Sequence, residues 1–384
     1  MNVRLGILGG GQLALYLCEA ARRLGVRTCV FIDAPDSPAV TRADQCVYGD
    51  MVEPAPLEEF IDSCDVITFD KEAIPDEALA MLETAVEQGR VAVRPGVAIL
   101  RLLKDKGLQK AWLVEQQLPT LPFITLSGEA SESLAALQAQ FGDTLVQKAR
   151  RGGYDGRGVQ MLNPGSTALL WDIPSIIEPC LTSCREISVL VARTLNGDMI
   201  SYPPVGMEFD PQLNAVSVVS IPVDLASQKC DAAVTLAERT IELLGGTGVF
   251  AVEMFVTPEG ELLINEISPR VHNSGHLTLD ACNVSQFEQH VRAVTGLPLL
   301  SVELLSAAAM LNILYEEAMR PHCPAEPRNE LLEEFGVSLY WYGKIPGKLG
   351  RKMGHINAMA ATTDQAKIQA ANALASLTRD NGFD

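Results

Sequence analysis

The chain has 384 residues, 47% hydrophobic and 20% charged, with 30 Lys and Arg against 48 Asp and Glu for a formal charge of −18. That balance excludes intrinsic disorder, and it excludes bulk electrostatic attraction to nucleic acid or to an anionic membrane surface. The length exceeds one ordinary domain, so two or three domains sharing clefts are expected.

The first residues pass at once into a strand and a glycine turn, so no secretory leader is expected. The most apolar stretch, 299–314, is interrupted by Glu303 and Asn312 and is too short to span a bilayer. The nine cysteines form no CxxC pair, and Cys180 and Cys184 have no nearby histidine to complete a metal site. Reduced thiols in a cytoplasmic protein are the expectation.

Strands are expected at 3–8, 28–32, 66–69 and 91–93, with a helix over 13–24. This βαβ punctuation implies a parallel sheet, with a boundary near residue 100. Residues 97–117 read as helical. From Pro122 the pattern changes to strands at 145–149, 159–162, 175–178, 187–192, 216–222, 249–256 and 262–267, with helices at 228–244 and 284–295. That is α+β character, closed by Gly296-Leu297-Pro298. A last segment, 299–384, carries its own strands and a terminal helix over 363–377.

Five features carry chemistry. Gly9-Gly10-Gly11-Gln12-Leu13-Ala14 follows a strand and opens a helix, with Asp33 near the acidic position of a dinucleotide fingerprint. Its physics is less specific, because such a turn offers N–H groups to any phosphate or carboxylate, or simply packs closely. Second, residues 148–158 (KARRGGYDGRG) place four glycines and four cations between two strands without a Walker pattern, which suits phosphate binding.

Third, Glu253 and Glu266 lie on two strands joined through Pro258-Glu259-Gly260. A two-residue turn sets them face to face and calls for a cation, whereas a three-residue turn pairs Glu253 with Asn265 instead. Hard carboxylates beside an amide suit Mg²⁺ shared with nucleotide phosphates. Fourth, Arg270-Val-His272-Asn273-Ser274-Gly-His276 crowds anion binders with titratable imidazoles. Fifth, residues 339–355 contain four Lys and Arg and no acid, a local site for a phosphomonoester in an acidic chain.

Together these blocks resemble the ATP-grasp superfamily and, within it, the 5-(carboxyamino)imidazole ribonucleotide synthase (PurK) family, over nearly the whole chain. The marks are GGGQL at 9–13, RRGGYDGRG at 150–158, NEISPRVHNSGHLTLDAC at 265–282, residues 286–288, MLNIL at 310–314 and GRKMGHI at 350–356. The resemblance implies an ATP-grasp fold of mixed α/β and α+β class, with an N-terminal Rossmann-like domain over 1–100, the ATP-grasp domain over 101–298 and a small C-terminal domain over 299–384. It further implies a ligase that activates bicarbonate with Mg·ATP as carboxyphosphate and carboxylates the amine of aminoimidazole ribonucleotide, as a homodimer.

On that resemblance, Arg101, Lys148, Gly153, Tyr154, Asp155, Gly156, Arg157, Gly158 and Val159 hold ATP. The hinge Glu178, Pro179, Cys180 and Leu181, together with Glu186, Phe209, Asn265 and Glu266, completes the nucleotide site. Glu253 and Glu266 hold Mg²⁺. Tyr154, Arg157, Arg270, His272 and Asn273 surround bicarbonate and carboxyphosphate. Gln12, Leu13, Glu72, Lys344, Arg351 and Lys352 bind the ribonucleotide, and the glycine turn serves that substrate rather than NAD.

Several positions depart from the family pattern. Ala14-Leu15-Tyr16 stands for Gly-Arg-Met, Asp70-Lys71-Glu72 for Glu-Phe-Glu, Phe209 for a histidine and Tyr315 for a glycine. The alternatives are a formate-using glycinamide ribonucleotide transformylase, which generally lacks HNSGH, a dehydrogenase using the first glycine turn, and a non-catalytic nucleotide-binding relative.

Overall fold

The N-terminal part folds as its alternating pattern requires. In the computed structural model, which describes residues 3–128, 133–153, 158–165, 169–210, 215–315, 336–344 and 350–379, strands β1 (Arg4–Leu8), β2 (Arg27–Ile32), β3 (Gln45–Tyr48), β4 (Val66–Phe69) and β5 (Ala92–Val93) form one parallel sheet in the order β3-β2-β1-β4-β5. Helices α1 (Gln12–Arg23), α2 (Pro54–Asp62) and α3 (Asp76–Glu87) are the crossovers. Because β1 and β4 pair as neighbours through Leu8↔Phe69, the turn at Gly9–Gly11 and the loop at Asp70–Glu72 emerge side by side. The short edge strand β3, with Gln45 and Tyr48 exposed, has too little apolar alternation to be read from the sequence.

The helical stretch 97–117 is two helices, α4 (Val97–Leu103) and α5 (Lys106–Glu115). The break is chemical: Asp105 caps α5 by accepting the N–H groups of Gly107 at 2.9 Å and Leu108 at 3.2 Å. Next come β6 (Ile124–Leu126), α6 (Leu134–Phe141), β7 (Leu145–Ala149), β8 (Val159–Leu162) and β9 (Ser175–Pro179), which form an antiparallel sheet ordered β6-β9-β7-β8.

The large sheet contains β10 (Arg185–Arg193), β11 (Met199–Ser201), β12 (Val205–Asp210), β13 (Ala215–Ile221), β14 (Gly248–Val256) and β15 (Leu262–Ser268). Helices α7 (Ser227–Leu244), α8 (Thr278–Ala281) and α9 (Gln286–Thr295) accompany it. The C-terminal strands β16 (Ala307–Leu314), β17 (Val337–Trp341) and β18 (Lys352–Ala360) do not make a sheet of their own. They extend this one through the β13–β16 pair, giving the order β15-β14-β10-β12-β13-β16-β18-β17. Helix α10 (Thr363–Arg379) covers the extension with Ala366, Ala370, Ala373 and Leu377, all buried and spaced along one helical face. Among the described residues, no helix is long and apolar enough to cross a membrane.

Candidate active site

The β14–β15 hairpin supplies the carboxylates, by a route different from the one the turn suggested. Val256 pairs with Leu262, and Thr257 N–H donates to the Glu261 carbonyl, so the loop has three residues, 258–260. Uninterrupted, that register sets Glu253 against Asn265. A bulge at Asn265 shifts it by one, and Glu253 stands opposite Glu266. Burial, with Glu266 opposite and Glu186 near, pushes the Glu253 carboxyl up to about 8, although Lys106 and Arg270 oppose the shift. Burial also works on Glu266, but an ion pair with Lys106, and Lys148 beyond it, hold that carboxyl below its usual range. Burial pushes Glu186 up to about 7 against the pull of Lys148.

Facing the hairpin are cations from α5 and β7. Glu178, 1% exposed, takes the Lys148 ammonium at 2.7 Å on one oxygen and the Lys110 ammonium on the other. Lys148 also donates to Asn265 Oδ1 at 3.0 Å, which ties the small sheet to the bulge. Burial alone lowers Lys148, yet Glu178 holds it above the usual lysine range, while burial of Lys110 prevails and lowers it. Asp105 takes Arg150 with both oxygens, at 2.8 and 2.9 Å, fixing the root of the glycine-rich loop to the start of α5.

The loop after β15 adds the anion binders. Arg270 meets the Glu72 carboxylate at 2.8 and 2.9 Å, so the N-terminal sheet reaches into the site. His272 Nδ1 accepts the Ser274 N–H at 3.3 Å, which leaves the proton of the neutral ring on Nε2, facing Glu253 Oε1 at 3.3 Å. Ser274 Oγ lies 2.9 Å from the same Nδ1 and donates to Ser188 Oγ at 3.0 Å. Asn273 exchanges two hydrogen bonds of 3.0 Å with Asn312 on β16. His276 is wholly buried, its ring stacked at 4.5 Å on His355, which stacks at 4.5 Å on Tyr340. Burial lowers His276 well below the usual imidazole range and His355 to about 3, so both rings are neutral packing elements.

At the glycine turn one N–H group is taken by the chain itself. The Gly11 N–H donates to Asp70 Oδ2 at 2.6 Å, so an internal carboxylate already occupies the start of α1. Gly9 has φ +109°, and a Cβ there would overlap Asp70 Oδ1. A dinucleotide phosphate at this turn would face that carboxylate, which removes the support for the dehydrogenase reading. Gln12, one residue on, accepts from Lys344 Nζ at 2.8 Å, joining the two ends of the chain. Lys344 also donates to the Lys352 carbonyl, and the Lys352 side chain is buried. Tyr16, the departure from methionine, packs edge-on against Tyr340, Tyr342, His276 and His355.

Lys148, Glu178, Glu186, Glu253, Asn265, Glu266, Arg270 and His272 are thus brought together, with Glu72 joined through Arg270. Arg101 is not among them: its guanidinium turns to Asp76 and Glu83 on α3. The cation that this stretch sends to the carboxylates is Lys106, which the sequence reading missed with Lys110, Asp105 and Asn312. The Asp-Lys run that opens α5 was the available signal. Phe209 packs on the cluster containing Val205, Met207 and Val219, and Leu13 is buried in the N-terminal core. Pro179, Cys180 and Leu181 follow Glu178 out of β9, Gly153, Gly158 and Val159 flank the loop, and the Arg351 carbonyl accepts from Tyr315 N–H at 2.8 Å. Tyr154, Asp155, Gly156 and Arg157 lie outside the described residues.

Among the described residues there is no cluster of three or more His, Cys, Asp or Glu side chains that could hold a metal. Two facing carboxylates with an amide oxygen alongside nonetheless give a hard oxygen donor set. The rise of Glu253 to about 8 comes first from burial and then from Glu266 and Glu186 nearby, and a divalent cation between the carboxylates would counter it.

Three families match along the chain: the ribonucleotide synthetase preATP-grasp domain over 2–102, the ATP-grasp domain over 111–287 and the phosphoribosylaminoimidazole carboxylase C-terminal domain over 308–369. The N5-carboxyaminoimidazole ribonucleotide synthase of Synechococcus elongatus is 38% identical over 377 residues, covering 94% of this chain and 92% of its own. The chain spans 66% of the length of the phosphoribosylaminoimidazole carboxylase of Ogataea methanolica, at 35% identity. Among solved structures, an Aspergillus clavatus N5-carboxyaminoimidazole synthase in complex with ADP and 5-aminoimidazole ribonucleotide superposes with a TM-score of 0.84 at 29% identity, covering 98% and 99% of the two chains. The chain belongs to the N5-carboxyaminoimidazole ribonucleotide synthase family, with an ATP-grasp fold.

Proposed function

We propose that this chain is an ATP-dependent ligase that carboxylates aminoimidazole ribonucleotide with bicarbonate, through carboxyphosphate, in purine biosynthesis. One observation carries the reading. The carboxylate pair, the buried lysines and the Arg270–His272 loop converge on one place, and Glu72 brings the N-terminal sheet to the same place. Family membership supports it, and the relatives' structures hold ATP, or ADP with 5-aminoimidazole ribonucleotide.

Lys148 and Lys106 offer positive charge to the ATP phosphates, and the buried Glu178, by pairing with Lys148 and Lys110, keeps that charge in place. Glu253 and Glu266, with Asn265 alongside, would hold Mg²⁺, which neutralises charge on the transferring phosphoryl group. Arg270 draws in the bicarbonate anion. His272, its Nε2 proton held toward Glu253, is oriented by Ser274 and is the group to manage a proton as carboxyphosphate breaks down. Lys344, Arg351 and Lys352 take the ribonucleotide phosphate, with Gln12, Leu13 and Glu72 contacting the same substrate, and the family resemblance assigns Tyr154 and Arg157 to bicarbonate and carboxyphosphate. A homodimer in the cytoplasm completes the reading.

The test is phosphate release from Mg·ATP and bicarbonate, with and without aminoimidazole ribonucleotide, with formate plus glycinamide ribonucleotide in parallel. Release that requires aminoimidazole ribonucleotide and yields the carboxyamino product is expected. Release only in the formate arm would overturn the assignment.

A further inference from the structure

We infer that Asn312 is a positioning residue that fixes the direction in which Asn273 presents its amide to the bicarbonate-derived group, an inference that rests on the carboxylation reading above. Asn312 lies on β16, in the C-terminal extension of the sheet, and is 5% exposed; Asn273 lies in the loop after β15 and is 8% exposed. Their amides form a closed ring of two hydrogen bonds, each 3.0 Å, with each side chain donating once and accepting once.

That ring alone does not say which way round the pair sits, because exchanging O and N on both amides preserves it. The choice is made next door. Asn312 Nδ2 spends its second N–H on the backbone carbonyl of Val216, on the adjacent β13, at 2.8 Å. Turning Asn312 over would set Oδ1 against that carbonyl oxygen, two acceptors in contact in a buried place. A backbone oxygen therefore orients Asn312, and Asn312 orients Asn273. By valence, Asn273 keeps one N–H and one lone pair beyond the ring, presented in one direction only.

The neighbours of Asn273 explain why direction matters. His272, adjacent in sequence, is oriented by Ser274 and faces Glu253, and Arg270 is held by Glu72. A donor added to this set at a fixed angle helps an anion without rearranging during reaction. It also ties the anion loop to the strand next to β18, where Asn312 stands opposite His355.

The experiment compares Asn312→Asp, Asn273→Ala and the double variant with the wild-type protein, by phosphate release at varied bicarbonate and varied ATP. Asn312→Asp keeps the side-chain shape but has no N–H for either Val216 or Asn273. The bicarbonate KM should rise roughly tenfold, with the ATP KM within about twofold of wild type. The double variant should be no worse than Asn273→Ala, because a residue acting through Asn273 has nothing to orient once that amide is gone. Should Asn312→Asp not accumulate as folded protein, Asn312→Ser, which keeps one donor but cannot serve both acceptors, carries the same expectation. An unchanged bicarbonate KM, an equal rise in both KM values, or additive losses in the double variant would overturn the inference while leaving the reaction standing. A wild-type protein that releases no phosphate with aminoimidazole ribonucleotide and bicarbonate would overturn the reading beneath it.

Discussion

Glu253 and Glu266 face each other across β14 and β15 only because Asn265 bulges out of the register. The bulge makes two carboxylates, one amide oxygen and two lysine contacts, from Lys148 and Lys106, meet at a single point. Without a cation the pair is a source of instability. The carboxyl of Glu253 rises from the ordinary 4.5 to about 8, so between these values the folded chain binds the proton more tightly than the unfolded one. By linkage, stability contributed here is present at low pH and is lost as pH rises toward 8. Glu253→Gln should therefore be more stable than wild type at pH 8 to 9 in a chelator, by about 1 kcal/mol or more. The gain should shrink near pH 5, while turnover collapses at every pH. Thermal melts across that range check it, and a variant no more stable than wild type at high pH would remove the repulsion from the account.

Glu178 serves two cations at once. Lys110 is 2% exposed, and Glu178 is the carboxylate with which it pairs. Glu178→Gln should cost roughly 3–5 kcal/mol, the range for removing one side of a buried ion pair. Lys110→Met should cost less, because Lys148 remains on Glu178. Denaturant midpoints of the two variants give the order, and a reversed order contradicts the shared-anion arrangement.

The glycine turn permits a sharper separation. Gly9→Ala meets two obstacles, the positive φ and Asp70 Oδ1, whereas Gly25→Ala, at φ +69° with nothing within 4 Å of its Cβ, meets only the first. Gly25→Ala should cost about 1 kcal/mol and Gly9→Ala several times more. Adding Asp70→Ala to Gly9→Ala should restore part of the difference. If it restores none, Asp70 is not what the turn packs against.

Much of this was legible in the sequence, and the exceptions have physical causes. Strands such as β1, β4 and β14 were readable because continuous apolar runs bury on both faces. The blocks around Lys148, Glu266 and Arg270 were readable because charge and glycine concentrate in a chain that is otherwise acidic. The bulge was not readable, since nothing in Leu-Leu-Ile-Asn-Glu-Ile distinguishes a slipped register from a straight one. Lys106 was hidden within a stretch read as one helix; the break at Asp105 depends on a side-chain cap and on the distant Arg150. Asp70 reads as one of the departures from the family pattern, and its bond to Gly11 appears only when β1 and β4 are neighbours.

The link between Glu72 and Arg270 spans 198 residues of sequence and uses both carboxylate oxygens. Glu72→Gln keeps the shape and removes the charge. A charge-assisted pair of this kind contributes about 1.5–3 kcal/mol, so the bicarbonate KM should rise by roughly tenfold or more. ADP affinity, measured by calorimetry, should stay within about twofold. A loss confined to ADP binding would place Arg270 on the nucleotide instead.

Asp105 holds two parts of the nucleotide site through one carboxylate. It caps α5, which carries Lys106 to Glu266 and Lys110 to Glu178, and it takes Arg150 with both oxygens at the root of the glycine-rich loop. The Arg150 carbonyl accepts the Lys106 N–H at 2.9 Å, so main chain and side chain fasten the same two segments. Burial tends to raise the Asp105 carboxyl, yet Arg150 and the capped N–H groups hold it below the usual range. Its contribution to stability is therefore complete above the ordinary carboxylate value and is lost as the pH falls below that value and through the lowered one of the folded chain. Asp105→Ala should lose the cap, worth about 1 kcal/mol, and leave Arg150 without its carboxylate. Asp105→Asn keeps the cap and removes the carboxylate charge that faces Arg150, so the difference in stability between the two variants reads the cap. Both variants should weaken ADP binding by roughly tenfold, since the loop root and the lysines are no longer held together. Stability reads the cap and affinity reads the fastening. An Asp105→Asn protein with wild-type ADP affinity would show that the main-chain bond from Lys106 to Arg150 holds the two segments without help.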